Sequence, residues 1–437
     1  MTTDSRALFR SLFRARYILR FMLLGGKKLI KSPWRLLALV FALALTGILY
    51  ARLPMLIEAG ITTNMMISLY RIVIVFAAFI SLALYLWHLG RPKGYIRIMS
   101  QIGKLNLTNA AGELPVLIER QKLPDGKAEV WTFESYGIDI AQFQDNNEKL
   151  ESAFDAAVVF VYPGENGRSV CLELVLHPGP WPKLLTFDEK KLNSDPRKLL
   201  LGENRGQVVY LDVTKTAHCC CIARTGHGKT VLEKCLLHNC LRFSSDWKVY
   251  LIDFKRGADF GPEWKSRLTI ISDIESALKL LESIKAEMNR RIDLLSGCGN
   301  IDGAGEHMPR IAIFIDEIVE MLDKTGASKD RKEIIDKING ALSSIAVLGR
   351  APGVHLFLFG QRISADTIPG AVRNNLYKIA GKLDENGSML VLNNGDAYKR
   401  IPGNAPGRFI TEDGVMFQGY YDKFSPETIP YSANNIK

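Results

Sequence analysis

Acidic residues are nearly missing from the first 104 positions, where only Asp4 and Glu58 stand against 15 lysines and arginines. That stretch carries +13 and the rest of the chain −3, out of a formal +10 overall. The global excess of basic charge is therefore no argument for nucleic-acid binding by the larger, C-terminal part. Cysteine is present but without the spacing that chemistry needs. Cys171, Cys219, Cys220, Cys221, Cys235, Cys240 and Cys298 include no C-x-x-C pair, so a thiolate metal centre or redox pair is not indicated. They read as small hydrophobes of a reducing compartment. The first apolar run begins late and lacks a small-residue cleavage site before the second, which argues against a signal peptide.

What is there begins with two apolar runs, Leu36–Tyr50 and Ile72–Trp87, each bounded by arginine. With their flanks they approach the ~20 residues that cross a bilayer, giving a transmembrane hairpin over 33–90 with spans at about 33–52 and 70–90. Basic residues cluster before the first run and after the second, and the connector between them has none apart from the boundary arginines Arg52 and Arg71. Both termini are thus expected in the cytoplasm, with the protein in the cytoplasmic membrane as a multi-pass anchor. Ahead of the hairpin, residues 1–32 interleave Leu8, Leu12, Phe13, Tyr17 and Phe21 with arginines, the pattern of a basic interfacial amphipathic segment. From 105 to 200 the pattern becomes strand, strand, helix, strand, strand: Leu114–Glu119, Ala128–Phe133, Asp139–Phe154, Ala157–Tyr162 and Val170–Leu176. This is a small α+β module without a catalytic constellation.

The most informative eight residues are Ala223-Arg224-Thr225-Gly226-His227-Gly228-Lys229-Thr230. An apolar strand precedes them and a helix with Leu232, Cys235, Leu236 and Cys240 on one face follows. Strand, glycine turn and helix start gather backbone N–H groups around one anion. Lys229 is expected to reach the β- and γ-phosphates of ATP, and the Thr230 hydroxyl to hold Mg²⁺. Ala223 stands where the pattern has glycine, and its methyl is tolerable only if the backbone there keeps a negative φ.

Ile311–Ile315 is an apolar strand that ends in Asp316-Glu317, where Asp316 would hold the metal's water shell and Glu317 would polarise an attacking water. A third strand, Val354–Phe359, ends in Gly360-Gln361-Arg362, and Gln361 is placed to sense the γ-phosphate. Arg350, Arg362 and Arg373 are candidates for an arginine finger supplied in trans, with Arg350 preferred. The domain from 205 to 425 is thus expected to be α/β, a P-loop NTPase (RecA-like) motor with a mostly parallel sheet, followed by a tail over 426–437.

In order, Cys221–Thr230, Leu251-Ile-Asp-Phe-Lys-Arg-Gly257, Phe314–Glu317, Gly349–His355 and Gly360–Ser364 resemble the motifs of the FtsK/SpoIIIE DNA translocase motor. Ala405–Phe409 and Phe417–Tyr421 look like its end. With the anchor and middle module, the chain is similar to FtsK-type coupling proteins of conjugative elements. That resemblance implies a membrane-bound homo-hexameric ATPase that moves DNA without sequence preference and meets a relaxase and secretion-channel proteins. Lys255 and Arg256 are then possible DNA contacts or a solvated turn. The end at Lys437 leaves no room for the winged-helix domain of chromosome-segregating members. The Asp253–Gly257 stretch also resembles type VII protein-secretion motors. A membrane scaffold that binds nucleotide without turnover is the reading that Ala223 alone would favour.

Overall fold

The computed structural model describes residues 3–55, 63–124, 128–165, 167–205, 207–255, 259–295, 297–363, 367–422 and 424, with the side chains of 3–15 and 262–263 left out. The side chains of Leu8, Leu12 and Phe13, residues Arg256, Gly257 and Ser364, and the 426–437 tail lie outside that description. The chain forms two compact units, one of Met1–Gln121, Val130–Asp139 and Pro163–Cys171, the other of the remaining residues.

In the first unit, helices Pro33–Arg52 and Asn64–Gly90 are long and apolar enough to cross a membrane, and no residue of the apolar 18-residue window in either is buried. At 1.5 Å per residue they extend about 30 and 40 Å. Residues Thr3–Ile30 form a helix of their own. It runs close against Asn64–Gly90: a Cβ built on Gly25 would strike the Leu86 carbonyl, and one on Gly90 the Phe21 carbonyl. The Lys28 ammonium donates to Leu89 O at 3.1 Å, and Phe21 and Leu29 are buried.

The middle strands fall where periodicity puts them: β1 Val116–Lys122, β2 Ala128–Glu134, β3 Ala156–Pro163 and β4 Ser169–Leu176, in the sheet order β1-β2-β4-β3. The expected single helix is two, Ile140–Asp145 and Asn147–Phe154.

The second unit is built on a ten-stranded sheet. Its strands are β5 Lys198–Asn204, β6 Gln207–Asp212, β7 His218–Ile222, β8 Trp247–Asp253, β9 Thr269–Ile271, β10 Arg310–Asp316, β11 Val354–Gly360, β12 Leu376–Ala380, β13 Arg408–Thr411 and β14 Met416–Gly419. Their order is β6-β5-β14-β13-β12-β7-β11-β10-β8-β9. From β12 to β9 every pairing is parallel; from β13 to β6 every pairing is antiparallel. The sheet begins with β5, ahead of residue 205.

Strands buried on both faces must be apolar throughout, and β7, β10 and β11 are buried at every residue. Alternation sends their side chains to two cores. Cys220, Ile222, Ile313, Ile315, Leu356 and Leu358 meet helices Ile274–Leu294 and Lys329–Leu348. Cys219, Cys221, Ala223, Phe314, Phe357 and Phe359 meet helix Lys229–Arg242. Phe314 and Phe357 are cross-strand partners whose rings stack at 4.6 Å. Each such buried side chain contributes about 1.5–3 kcal/mol. All seven cysteines are free thiols and six of them are buried, which fits their reading as small core residues.

Candidate active site

The central strand β7 delivers the glycine loop to the carboxyl edge of the sheet, where open parallel sheets bind ligands. The Ala223 N–H donates to Gly360 O and the Arg224 N–H to Lys382 O, both at 3.2 Å, so the loop leaves the sheet tied to each neighbouring strand end. Gly226 (φ 79°) and Gly228 (φ 89°) then take left-handed conformations that only glycine adopts freely. Gly228 caps the helix that starts at Lys229, whose first-turn N–H groups have no intrahelical acceptor. A loop so shaped suits a polyphosphate.

Ala223 meets the condition set for it, since it is not among the residues with positive φ. Its methyl is wholly buried in space left by Gly381, where a Cβ would come 2.6 Å from the Ala223 Cβ. The substitution is thus matched by a missing side chain on the adjacent strand end.

Asp316 ends β10, and Glu317 follows with φ 48° and ψ 55°. Consecutive strand residues point to opposite faces. The left-handed turn at Glu317, which costs about 1–2 kcal/mol for an L-residue, brings both carboxylates to one place. Lys229 Nζ lies 2.8 Å from Asp316 Oδ1 and 2.7 Å from Glu317 Oε1. Burial pulls the Lys229 ammonium toward deprotonation, but the Asp316 and Glu317 carboxylates outweigh it and raise its pKa. Burial likewise pushes Glu317 up, and Lys229 more than reverses this, leaving it below the ordinary value. Gln361 donates from Nε2 to Glu317 Oε1 and accepts from Thr225 Oγ1, both at 3.1 Å. It therefore links the loop to the carboxylate.

The donor set fits Mg-ATP: glycine-loop N–H groups and Lys229 for phosphates, and Thr230 and Asp316 for the metal. Among the described residues no cluster of three His, Cys, Asp or Glu side chains stands ready for a metal. A magnesium ion would then complete its shell with phosphate oxygens and water, its usual preference. When bound, such an ion would neutralise charge on the transferred phosphoryl group. The residues themselves position: Glu317 presents a charged, lysine-held carboxylate, and Gln361 fixes its orientation.

Arg350 is not brought to this site within its own chain. It precedes β11, at the opposite edge of the sheet about 20 Å away by strand length, where it is exposed and donates to Thr214 O at 2.9 Å. Arg224 and Thr225 are exposed on the loop and His227 is half-buried. Burial, then Arg224 and Lys382, lowers the His227 pKa.

Lys255, expected as a DNA contact or a solvated turn, is partly exposed and lies over the same carboxylates, 3.1 Å from Asp316 Oδ2 and 3.3 Å from Glu317 Oε1. β8 runs parallel beside β10 with Asp253 opposite Asp316, so the residues after β8 emerge there. The signal was the acid-ended apolar strand Lys248–Asp253, whose position in the sheet the sequence does not state. Gly407 was also missed: its N–H donates to His227 O at 3.0 Å, and a Cβ on Gly228 would come 3.0 Å from it.

The glycine loop lies within the part of the chain that resembles known proteins. Residues 185–312 match the FtsK/SpoIIIE family. DNA translocase SpoIIIE of Bacillus subtilis is 23% identical over 75% of this chain and 46% of its own length. DNA translocase FtsK of Sporosarcina ureae is 26% identical over 52% of this chain and 33% of its own. The chain thus spans less than half the length of these relatives. A solved structure of the pCW3 conjugation coupling protein TcpA, in a monomer form with ATPgS, superposes with a TM-score of 0.54 at 29% identity, covering 77% of this chain and 96% of that one. On these findings the chain carries an FtsK/SpoIIIE-family domain with the P-loop NTPase fold.

Proposed function

We propose that this protein is a membrane-anchored ATPase that translocates DNA, a coupling protein delivering DNA to a conjugative transfer channel. The observation that carries the ATPase reading is the convergence of Lys229, Asp316, Glu317 and Gln361 on one glycine loop. The DNA reading is supported by the likeness to named DNA translocases, and the conjugative role by the likeness to a coupling protein along nearly its whole resolved length. ATP and Mg²⁺ are the cofactors, with Thr230 and Asp316 holding the ion. The two apolar helices anchor the chain in the cytoplasmic membrane with both termini inside. A homo-hexamer places the exposed Arg350, at the far edge of the sheet, where a neighbouring copy's site can receive it. The further partners are a relaxase and secretion-channel proteins. DNA is held through its phosphates, largely without sequence preference.

The test is ATP turnover by the full chain in nanodiscs, with and without DNA. Turnover stimulated by DNA and lost in Lys229→Ala is the expected result. Turnover indifferent to DNA refutes the translocase, and full activity in Lys229→Ala refutes the site.

A further inference from the structure

Lys229 spends two of its three ammonium donors on Asp316 Oδ1 and Glu317 Oε1, and a phosphate that draws the ammonium toward the loop loosens its hold on them. Two adjacent carboxylates would then be left with reduced compensation in a buried position, where like charges repel strongly. Lys255 already occupies the second oxygen of Asp316 and shares Glu317 Oε1. Asp259 lies 3.7 Å from the same ammonium. Its placement is built in: the Lys255 N–H donates to Asp253 Oδ1 at 2.8 Å, and Asp253 is wholly buried and in register with Asp316.

We propose that Lys255 is a positioning residue of the hydrolytic site, holding Asp316 and Glu317 together when Lys229 turns to the nucleotide. The proposal rests on the ATPase reading above. With 30% of its side chain exposed, Lys255 keeps part of its hydration, while Lys229 is nearly enclosed. Lys255 holds only Oδ2 of Asp316, so once Lys229 departs Oδ1 keeps the Glu317 N–H at 3.0 Å and has a lone pair left for the metal's water shell, while Lys255 keeps Glu317 from swinging away from the attack position.

The experiment measures steady-state ATPase and equilibrium binding of a fluorescent ATP analogue on the full chain in nanodiscs. Lys255→Met is expected to lower kcat about 10- to 100-fold, the usual loss when a positioning partner is removed. KM and analogue affinity should stay within about twofold, because the phosphate contacts are untouched. Lys255→Arg should recover most of kcat, since a guanidinium spans two carboxylate groups. Lys255→Gln should repeat the kcat loss and replaces the methionine variant if that one does not fold. Equal kcat in Lys255→Met and wild type overturns the proposal alone. Loss of analogue binding in step with kcat overturns it in favour of a nucleotide-binding role. Absence of turnover in the wild-type chain overturns the ATPase reading and the proposal with it.

Discussion

Replacing Glu233 with methionine should stabilise the protein, by an amount that grows with pH. Glu233 lies one turn beyond Lys229 on the same helix and is wholly buried, and neither carboxyl oxygen has a hydrogen-bond partner among the described residues. Burial first, then the Asp316 charge, raises its pKa well above the ordinary value. The folded chain therefore holds this carboxyl protonated, while the unfolded chain releases the proton above about pH 4.5. A raised folded pKa contributes stability that is present at low pH and is lost as pH rises toward the folded value. The cost is about 1.4 kcal/mol per pH unit while the folded carboxyl keeps its proton. Across pH 5 to pH 7.5, each unit over which the folded carboxyl keeps its proton widens the advantage of Glu233→Met by that amount, or roughly 3–6 °C in Tm for a domain of this size. Methionine fills a similar volume and has no group to leave unpaired. Thermal unfolding of wild type and variant across that pH range checks this. A Tm difference that does not widen with pH refutes the buried protonated carboxyl.

Three further outcomes follow from the loop. Gly381→Ala puts a Cβ 2.6 Å from that of Ala223 and should cost about 1–3 kcal/mol by overpacking. Ala223→Gly in the same chain should return at least about 1 kcal/mol in a denaturation double-mutant cycle, and strict additivity would sink the pairing. Gly228→Ala must hold an L-residue at φ 89° against the Gly407 backbone. Nucleotide affinity should drop at least about tenfold, measured by fluorescence titration, because the backbone strain of about 1–2 kcal/mol falls on the cradle itself.

Much of the fold could be read where residues answer to local rules. Five apolar residues before Asp316 specify a strand buried on both faces whatever surrounds it, and the glycines at 226 and 228 specify a loop. The middle strands emerged from alternation alone, within two or three residues at their ends. β5 and β6 did not, although Leu199-Leu-Leu201 and Val208–Leu211 are apolar enough. They belong to the antiparallel wing, whose partner β14 lies at the far end of the sequence. The site divides in the same way. The meeting of Lys229, Asp316 and Glu317 was legible from strand ends and a helix start. Lys255 was not, because its role depends on β8 lying next to β10. The left-handed turn at Glu317 leaves no trace in residue type, and Ala223 made sense only beside Gly381.

The contact between Gly228 and Gly407 has a consequence for biosynthesis. β13 and β14 are the last strands in sequence, yet they lie inside the sheet between β12 and β5. The nucleotide loop leans on the turn just before them. A ribosome-bound chain that has just completed the loop still lacks the backbone against which that loop is set. Its loop sequence is complete some 180 residues before its loop geometry can be. Synthesis order thereby delays a competent nucleotide site until nearly the whole motor has been made.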